Sequence, residues 1–311
     1  MKKLLNSTFA AAVMLLFGGV NEVNGDPLTY EIVGETVTIT DCDKNASGAL
    51  VIPPSYNGKP VISIGSYAFN SCSSLSSVTI PDSVTSIGRF AFGYCSGLTS
   101  VTIPDSVTSI GQDAFWGCSN LMSVAIPDSV TSIENMTFRN CGNLTSVIIG
   151  NKVSSIGRWA FRGCRNLTNV TIPDSVTQIG SWAFSGCSSL KSITFEGNAP
   201  SSFGADVFKY LPIGATITVP AGATGFGETY AGLPVQILKK KLVIKSFNSH
   251  ATPFSLTFET QSDSTYKVEA SHDLKKWGEI GDVQGNGSSV KFIERRKAMF
   301  PQQYYRVKLV E

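Results

Sequence analysis

The sequence predicts a leucine-rich repeat type of solenoid, built from short stacked coils and followed by a small all-β domain. One pattern, I-G-x-x-A-F-x-x-C-x-x-L-x-x-V-x-I-P-D-S-V-T-S, occurs six times between Ile64 and Phe195 without an insertion. A period of 23 residues indicates units that bury their apolar faces only against their neighbours. Beyond residue 238 this step ends and short alternating segments take its place. With 311 residues, 42% of them hydrophobic, the chain is long enough for about two domains.

Four apolar positions of the unit keep the 23-residue step through all six copies. They form columns of isoleucine (Ile64, Ile87, Ile110, Ile133, Ile156, Ile179), phenylalanine (Phe69, Phe92, Phe115, Phe138, Phe161, Phe184), cysteine (Cys72, Cys95, Cys118, Cys141, Cys164, Cys187) and leucine (Leu75, Leu98, Leu121, Leu144, Leu167, Leu190). Stacked coils place such residues over one another, so we expect one continuous core.

Within one unit the apolar spacing predicts a strand, a turn and a short helical segment. Val78 and Ile80 alternate with polar residues, which predicts a strand with both side chains pointing inward. Pro81–Ser83 is typical of a turn. Gly65–Cys72 predicts one or two helical turns, because its apolar residues fall on one side of a 3.6-residue wheel and Tyr67 falls on the other.

This pattern resembles a known repeat family. The A-F-x-x-C-x-x-L-x-x-V-x-I-P core with its 23-residue step closely resembles the BspA-type leucine-rich repeats. That resemblance covers roughly half the chain. It implies a curved solenoid with a strand on its concave face, and a protein that recognises a partner. One coil departs from the pattern at 134–137 and 150–152, but it keeps every inward apolar residue.

The chain in order predicts five regions. Lys2 and Lys3, followed by an apolar run as far as Val20, predict a secretory signal peptide over residues 1–25. An atypical first coil, with a hairpin between Tyr30 and Ile39, predicts an N-terminal cap over 26–61. The six repeats occupy 62–196, and a closing cap follows over 197–238. Residues 239–311 predict a small β-sandwich-like domain.

The tail domain differs from the repeats in charge as well as in pattern. Residues 239–311 hold 13 basic and 8 acidic residues, whereas 26–238 hold 10 basic and 14 acidic residues. We interpret the positive balance of the tail as a solvated face, with contact to an anionic surface as the alternative. Its Y-K-V-E-A-S, D-L-K-K-W and Y-Y-R-V segments are loosely similar to C-terminal β modules of exported bacterial proteins.

Cysteine spacing argues against disulfides within the column. Composition argues against metal sites and against catalysis. A stacked column places successive thiols about 4.8 Å apart with parallel Cβ atoms, so we expect buried free thiols, with Cys42 lacking a partner. Neither zinc nor calcium is expected, because the repeats contain no histidine and their aspartates follow proline in ordinary turns. No nucleophile with a base and no paired carboxylates stand out, so the sequence predicts neither an enzyme nor a cofactor.

The predicted binding surface lies on the outward side of the helical segment. Two outward positions there carry aromatic or arginine residues, where simple packing would favour polar ones. The candidate partner-binding residues are Tyr67, Phe90, Trp116, Arg139, Trp159, Arg162 and Trp182. The alternative is that these rings merely lie over one another and shield the coils beneath.

The predicted function is protein recognition or adhesion by a secreted or cell-surface protein. Carbohydrate binding is the main alternative, on the aromatic side or through Trp277, Tyr304 and Tyr305 of the tail. A structural spacer that presents the tail is a third possibility. Ser100 and Thr102 belong to two columns of short side chains on the strand face, which we assign to solubility rather than to ligand matching. We expect no nucleic-acid partner and no membrane span after signal cleavage.

Overall fold

The structure is a computed structural model that describes residues 25–238, 244–248, 255–260, 265–271, 275–293 and 304–310. Apart from Gly25, the predicted signal peptide lies outside the described residues, as do both histidines of the chain. Two compact units divide the chain after Leu238.

The first unit is a β-solenoid of about eight turns. Its strands are β1 Leu28–Val33, β2 Thr36–Cys42, β3 Gly48–Val51, β4 Ser55–Tyr56, β5 Lys59–Ile64, β6 Leu75–Thr79, β7 Ser86–Ile87, β8 Ser100–Thr102, β9 Ser109–Ile110, β10 Ser123–Ala125, β11 Ser132–Ile133, β12 Ser146–Ile148, β13 Ser155–Ile156, β14 Asn169–Ile172, β15 Gln178–Ile179, β16 Ser192–Phe195, β17 Ser202–Phe203, β18 Thr216–Pro220, β19 Thr229–Tyr230 and β20 Leu233–Leu238.

Each repeat contributes one strand to each of two parallel ladders. The longer strands pair as β3-β6-β8-β10-β12 and β14-β16-β18-β20, and the two-residue strands continue from β5 as β5-β7-β9 and β11-β13-β15-β17. Partners lie one period apart, as in Val78 opposite Val101. At the start of the solenoid, β1 pairs antiparallel with β2, and β2 then pairs parallel with β5. The predicted hairpin and the predicted strand after Leu75 are therefore confirmed.

The prediction of a helical turn over Gly65–Cys72 is wrong, because no described residue of the chain is helical. The segment contains two residues with left-handed backbone, Tyr67 and Ser71, both with φ of 63°. Each later coil repeats the first of these conformations, with φ between 53° and 59°, at Phe90, Asp113, Met136, Trp159, Trp182 and Asp206. A left-handed residue in every coil interrupts the right-handed backbone on which an α-helix depends.

Hydrogen bonds between coils explain why the backbone takes this conformation. The amides of Tyr67 and Phe69 donate to the carbonyls of Arg89 and Ala91 in the next coil, at 2.9 and 2.7 Å. The amide of Asn70 instead donates within its own coil, to the Tyr67 carbonyl at 2.9 Å. Every second amide thus binds the neighbouring coil, whereas a helix would direct all of them to residues four positions earlier. The segment is a stack of tight turns.

The core is the set of columns that the sequence predicts. The column phenylalanines are fully buried, with ring centroids between 4.9 and 5.4 Å apart and planes within 8° of parallel. The column cysteines and leucines are also fully buried, and the isoleucines are at most 3% exposed. The inward direction of Val78 and Ile80 is confirmed. Full burial of each phenylalanine contributes about 2 to 3 kcal/mol, so the columns hold the coils together.

The second unit contains two antiparallel sheets. Its strands are β21 Ile244–Asn248, β22 Ser255–Glu259, β23 Thr265–Ser271, β24 Gly278–Gln284, β25 Ser289–Ile293 and β26 Tyr304–Leu309. They pair as β21-β22-β25 and β24-β23-β26. Leu256, Phe258, Tyr266 and Val268 are buried in a small core of their own, so apolar residues from both sheets share one interior.

Candidate interaction surface

A continuous row of aromatic and arginine side chains runs along the turn segments of the solenoid. We call it the aromatic-arginine row, and it consists of Tyr67, Phe90, Tyr94, Trp116, Arg139, Arg158, Trp159 and Trp182. Four of these residues, Tyr67, Phe90, Trp159 and Trp182, occupy the first left-handed position of their coils. The next two residues of each coil enter the core, as Ala68 and Phe69 do beside Tyr67. The local backbone therefore leaves the ring outside the core.

The rings at the N-terminal end of the row contact one another directly. Tyr67 stacks on Phe90 with centroids 5.2 Å apart and planes 6° from parallel. Phe90 and Trp116 are 5.4 Å apart, and Tyr94 lies 5.5 Å from Trp116 on another side. Aromatic pairs at such separations attract one another beyond their area of contact. This part of the row is one cluster spanning three coils.

Arginine side chains link the central and C-terminal rings. The Arg139 guanidinium lies 4.9 Å from the Trp116 ring and 5.5 Å from the Trp159 ring. Trp159 in turn stacks on Trp182 with centroids 5.7 Å apart. The Trp182 indole donates a hydrogen bond to Asp206 Oδ2 at 3.1 Å, in the following coil. Cation-π contacts thus continue the row where the ring column is interrupted.

Of the seven predicted residues, the structure brings six together. Arg162 is the exception, since it is exposed and contacts no described ring of the row. Two members were missed by the sequence reasoning, Tyr94 and Arg158. The Arg158 guanidinium is 3.8 Å from the Trp159 ring and 4.7 Å from the Trp182 ring. Its position immediately before Trp159 was the available signal.

One coil places a buried acid at the position where four other coils carry rings. Asp113 occupies the first left-handed position with φ of 59°, and its side chain is only 2% exposed. Its Oδ2 accepts from Gln112 Nε2 at 3.1 Å and lies 3.5 Å from Arg89 Nε, whereas Oδ1 has no hydrogen-bond partner among the described residues. Burial raises the pKa of the Asp113 carboxyl above its usual value, and the neighbouring Gln112, Arg89 and Arg139 oppose that rise.

The row is partly covered and partly accessible. Tyr67 is 48% exposed, Tyr94 is 47% exposed, and the three tryptophans of the row are half-buried. Stacking covers ring faces along the row, so ring edges and guanidinium groups are what a partner would meet. This geometry fits both the packing and the binding interpretation, because the same rings shield the coils and present polar-edged aromatic surface.

The other predicted surfaces are less concentrated. On the longer-strand ladder, Ser100 and Thr102 are exposed, and so is Ile148 at 67%. In the second unit, Arg306 lies 4.1 Å from the Trp277 ring, while Tyr305 packs against the small core. Tyr304 is 38% exposed. The three tail aromatics therefore do not present one open face of rings.

A groove of about 490 Å³ opens where the regular repeats end. Asp174 and Glu196 of the repeats line it together with Asn198, Ser201 and Pro220 of the closing cap. Asn198 Oδ1 is occupied, because it accepts from the Thr224 amide at 2.8 Å. The groove offers carboxylate and hydroxyl groups to a polar ligand.

Neither a metal-binding group nor a membrane-spanning helix is found among the described residues. In the ranges given above, no three histidine, cysteine, aspartate or glutamate side chains are grouped so that they could hold a metal ion. Within the same ranges the structure contains no helix with the length and apolar character needed to cross a membrane.

Comparison with known proteins agrees with this geometry. The family model described as BspA type leucine rich repeat region matches in six copies, over residues 56–130 and 114–230. The match ends at residue 230, so the resemblance of the tail to C-terminal β modules is not confirmed. Among proteins with curated descriptions, none gives a significant match.

Solved structures of bacterial leucine-rich repeat proteins are similar to the chain. The leucine rich repeat protein TpLRR of T. pallidum is 32% identical with a TM-score of 0.55, covering 61% of this chain and 90% of its own. A leucine rich cell surface protein of Faecalibacterium prausnitzii is 33% identical with a TM-score of 0.43, over 56% of this chain and 54% of its own. The first of these likenesses supports the repeat fold over most of the length of the T. pallidum protein.

Proposed function

The chain belongs to the BspA-type leucine-rich repeat family, and on that premise we propose that it is a non-enzymatic recognition protein of the cell surface or the secreted fraction. In this proposal the solenoid binds a protein partner, or a protein-coated surface, through the aromatic-arginine row, and the binding serves adhesion. Repeat proteins of this kind offer extended surfaces rather than catalytic clefts. The leader pattern at Lys2 and Lys3 supports export.

The observation that carries the proposal is the composition and exposure of the row. Tryptophan, tyrosine and arginine are the residue types enriched at energetically dominant interface positions. Here they occur side by side on six consecutive coils, and they are partly exposed. Each ring is also held by its neighbours, so it loses little conformational freedom on binding, which favours affinity.

A pull-down from cell-surface and matrix extracts tests the proposal when it is run with matched variants. The wild type should capture a protein that the triple variant Trp116→Ala, Trp159→Ala, Trp182→Ala captures weakly or not at all. The double variant Ser100→Ala, Thr102→Ala serves as the control, because both residues are exposed on the longer-strand ladder. Equal capture by all three proteins would remove the row from the binding site.

Carbohydrate binding is the second candidate, and the polar groove lined by Asp174, Glu196 and Asn198 is what favours it. Sugars combine hydroxyl groups with flat apolar faces, and proteins often bind the apolar face by stacking an aromatic ring on it. The rings of the row already stack on each other, so a sugar would have to use the groove or the tail. A glycan array run in parallel distinguishes the two functions. Binding abolished by Glu196→Gln but not by the triple tryptophan variant would favour the groove. A spacer role predicts no ligand in either assay.

A further inference from the structure

Five of the six column cysteines make the same kind of hydrogen bond. Each thiol donates to the carbonyl of the phenylalanine 26 residues earlier, which belongs to the preceding coil. The sulfur-to-oxygen distances run from 2.9 to 3.2 Å for Cys95, Cys118, Cys141, Cys164 and Cys187. These thiols are therefore directed at the backbone, and each has a partner.

Cys72 departs from this arrangement because it is the first of the column. No repeat precedes it, and residue 46 is an alanine in the cap rather than a column phenylalanine. Its thiol faces two longer contacts, 3.8 Å to the Cys42 carbonyl and 3.9 Å to the Asp43 carbonyl. Cys72 is thus the one column thiol without a close backbone acceptor.

Cys42 lies beside it. The Cys42 thiol is 3.6 Å from the same Asp43 carbonyl that Cys72 approaches at 3.9 Å, and the Cys72 thiol also lies 3.8 Å from the carbonyl of Cys42 itself. Both cysteines are free thiols in this structure. Cys42 ends β2 in the cap and Cys72 opens the column, so the cap brings its one cysteine next to the column thiol that lacks a short backbone hydrogen bond.

We propose that Cys42 and Cys72 are an oxidation site at which a disulfide joins the N-terminal cap to the first repeat. Both sulfurs lie within 4 Å of one carbonyl, which places the two side chains side by side between the cap and the first repeat. Neighbouring column thiols, in contrast, would each have to give up a short hydrogen bond and pinch two coils together. The remaining five cysteines therefore stay reduced.

The pKa values also distinguish Cys72 from the later cysteines of the column. The pKa of Cys72 is lowered, first because Cys42 donates a hydrogen bond to its thiolate and further because the positive charge of Lys44 is close. Lys44 is held there by Asp41, at 2.8 Å, and by the Cys42 carbonyl, at 3.1 Å. Burial raises the pKa of Cys95 and that of Cys187 to about 12 each. Cys72 is the nucleophile of the pair.

The reaction is a thiol-disulfide exchange with a disulfide oxidant such as oxidised glutathione. The Cys72 thiolate attacks one glutathione sulfur, the glutathione disulfide bond breaks, and the first glutathione leaves as a thiolate that takes up the Cys72 proton. The Cys42 thiol then loses its proton and attacks the mixed disulfide at Cys72, which releases the second glutathione. Two protein thiols are oxidised and one glutathione disulfide is reduced to two thiols, so electrons and protons balance.

Both thiols are buried in the folded protein, so oxidation is fastest while the cap is still undocked. The bond closes a loop between residues 30 positions apart. Such a link restricts the unfolded cap and holds it against the first repeat. Since a solenoid exposes its core where a cap is missing, the disulfide protects the N-terminal end of the column.

The test is refolding of the full chain in oxidised and reduced glutathione, followed by intact mass, thiol counting after denaturation, and peptide mapping. We expect the mass to fall by two hydrogen atoms, the thiol count to fall from seven to five, and the linked peptides to contain Cys42 and Cys72. The oxidised protein should melt about 5 °C or more above the same protein after reduction. Cys42→Ser should keep all its thiols in the oxidant.

The matched control is Cys118→Ser in the middle of the column, which should still form the same link. Circular dichroism checks that both variants fold, and the mapping of the wild type requires no variant at all. Seven free thiols after oxidative refolding would overturn the proposal. A link between two column cysteines would overturn it as well.

Discussion

Two aromatic columns run along the same solenoid, and they differ in composition and in geometry. The inner column is phenylalanine in all six repeats, fully buried, with planes within 8° of parallel. The outer aromatic-arginine row mixes four residue types, is partly exposed, and shows interplanar angles from 6° to 42°. Both follow the same repeat, and the left-handed position of each coil keeps the outer side chain out of the core while the phenylalanine two residues later enters it.

What differs is the physical demand on each position. A buried site between two identical coils accepts one shape, because a smaller side chain leaves a cavity and a larger one clashes. An outer site accepts many residues, so its composition reflects something other than close packing. The inner column therefore reports on stability, and the outer row is where evidence of recognition is to be sought. The predictions below test that separation, from the largest expected effect to the smallest.

Deletion of part of a repeat should have the largest effect. Removing residues 110–132 joins Ser109 to Ile133 and keeps every column in register, so this shorter protein should fold. Removing only 110–121 shifts the inner and outer columns against each other and should prevent folding. Circular dichroism and thermal melting of both proteins provide the measurement. Equal expression and melting of the two would contradict the stacked-coil description.

Replacement of one inner ring should be the next largest effect. Phe115→Ala should lower the free energy of unfolding by about 3 to 5 kcal/mol, because it removes a fully buried ring and leaves a cavity. The adjacent residue supplies the control, since Trp116→Ala should cost much less. Denaturant titration measures both. A larger loss at Trp116 than at Phe115 would reverse the assignment of the two columns.

The sequence predicted the inner column but not the backbone that separates the two columns. Conserved spacing of Phe69, Cys72 and Leu75 within the chain identified the core, because burial repeats with the period. The helical turn was wrong because Ala68, Phe69 and Cys72 also fit a helical wheel. Residue type gave no sign of left-handed backbone at Tyr67, since bulky residues rarely adopt it. Hydrogen bonds from the amides of this segment to carbonyls of the next coil stabilise it, and those bonds form only when the coils are stacked.

Replacement of single tryptophans should affect binding more than stability. Trp116→Ala, Trp159→Ala or Trp182→Ala should weaken partner binding more than tenfold where the ring contacts the partner, or about 2 kcal/mol, with a small change in melting temperature. Surface plasmon resonance with the captured partner measures the affinity. Ser100→Ala with Thr102→Ala is the control and should change neither quantity. Variants that melt much earlier but bind normally would make the rings packing residues.

Repeat spacing predicted most members of the aromatic-arginine row, but it did not predict the side-chain contacts between them. Outward spacing identified six members of the row, but Arg158 and Tyr94 enter it through contacts with rings that spacing does not describe. Arg162 has the right spacing and yet stays apart from the rings. Asp113 was the least predictable, because aspartate is rarely buried and the contact with Arg89 of the preceding coil is not visible in its own residue type.

The smallest effect concerns Asp113, which interrupts the outer row of rings with a buried carboxyl group. Burial raises the pKa of its carboxyl in the folded protein, so over the pH range between the unfolded and folded pKa values the folded state retains a proton that the unfolded state has released. Its contribution to stability therefore falls as the pH rises through that range. Below the range, where the group is protonated in both states, this penalty is absent.

Asp113→Asn should remove the penalty without straining the backbone, because asparagine tolerates left-handed φ. We expect the variant to be more stable than the wild type at pH 7 by about 1 kcal/mol, and the difference should shrink as the pH falls toward about 4. Loss of the contact with the exposed Arg89 costs little. Asp105→Asn, in an exposed turn, is the control. Denaturant titrations across this pH range decide the sign. A variant less stable at neutral pH would mean that the charge of Asp113 holds Arg89 and Arg139 in place, and that the interruption of the ring column is itself part of the packing.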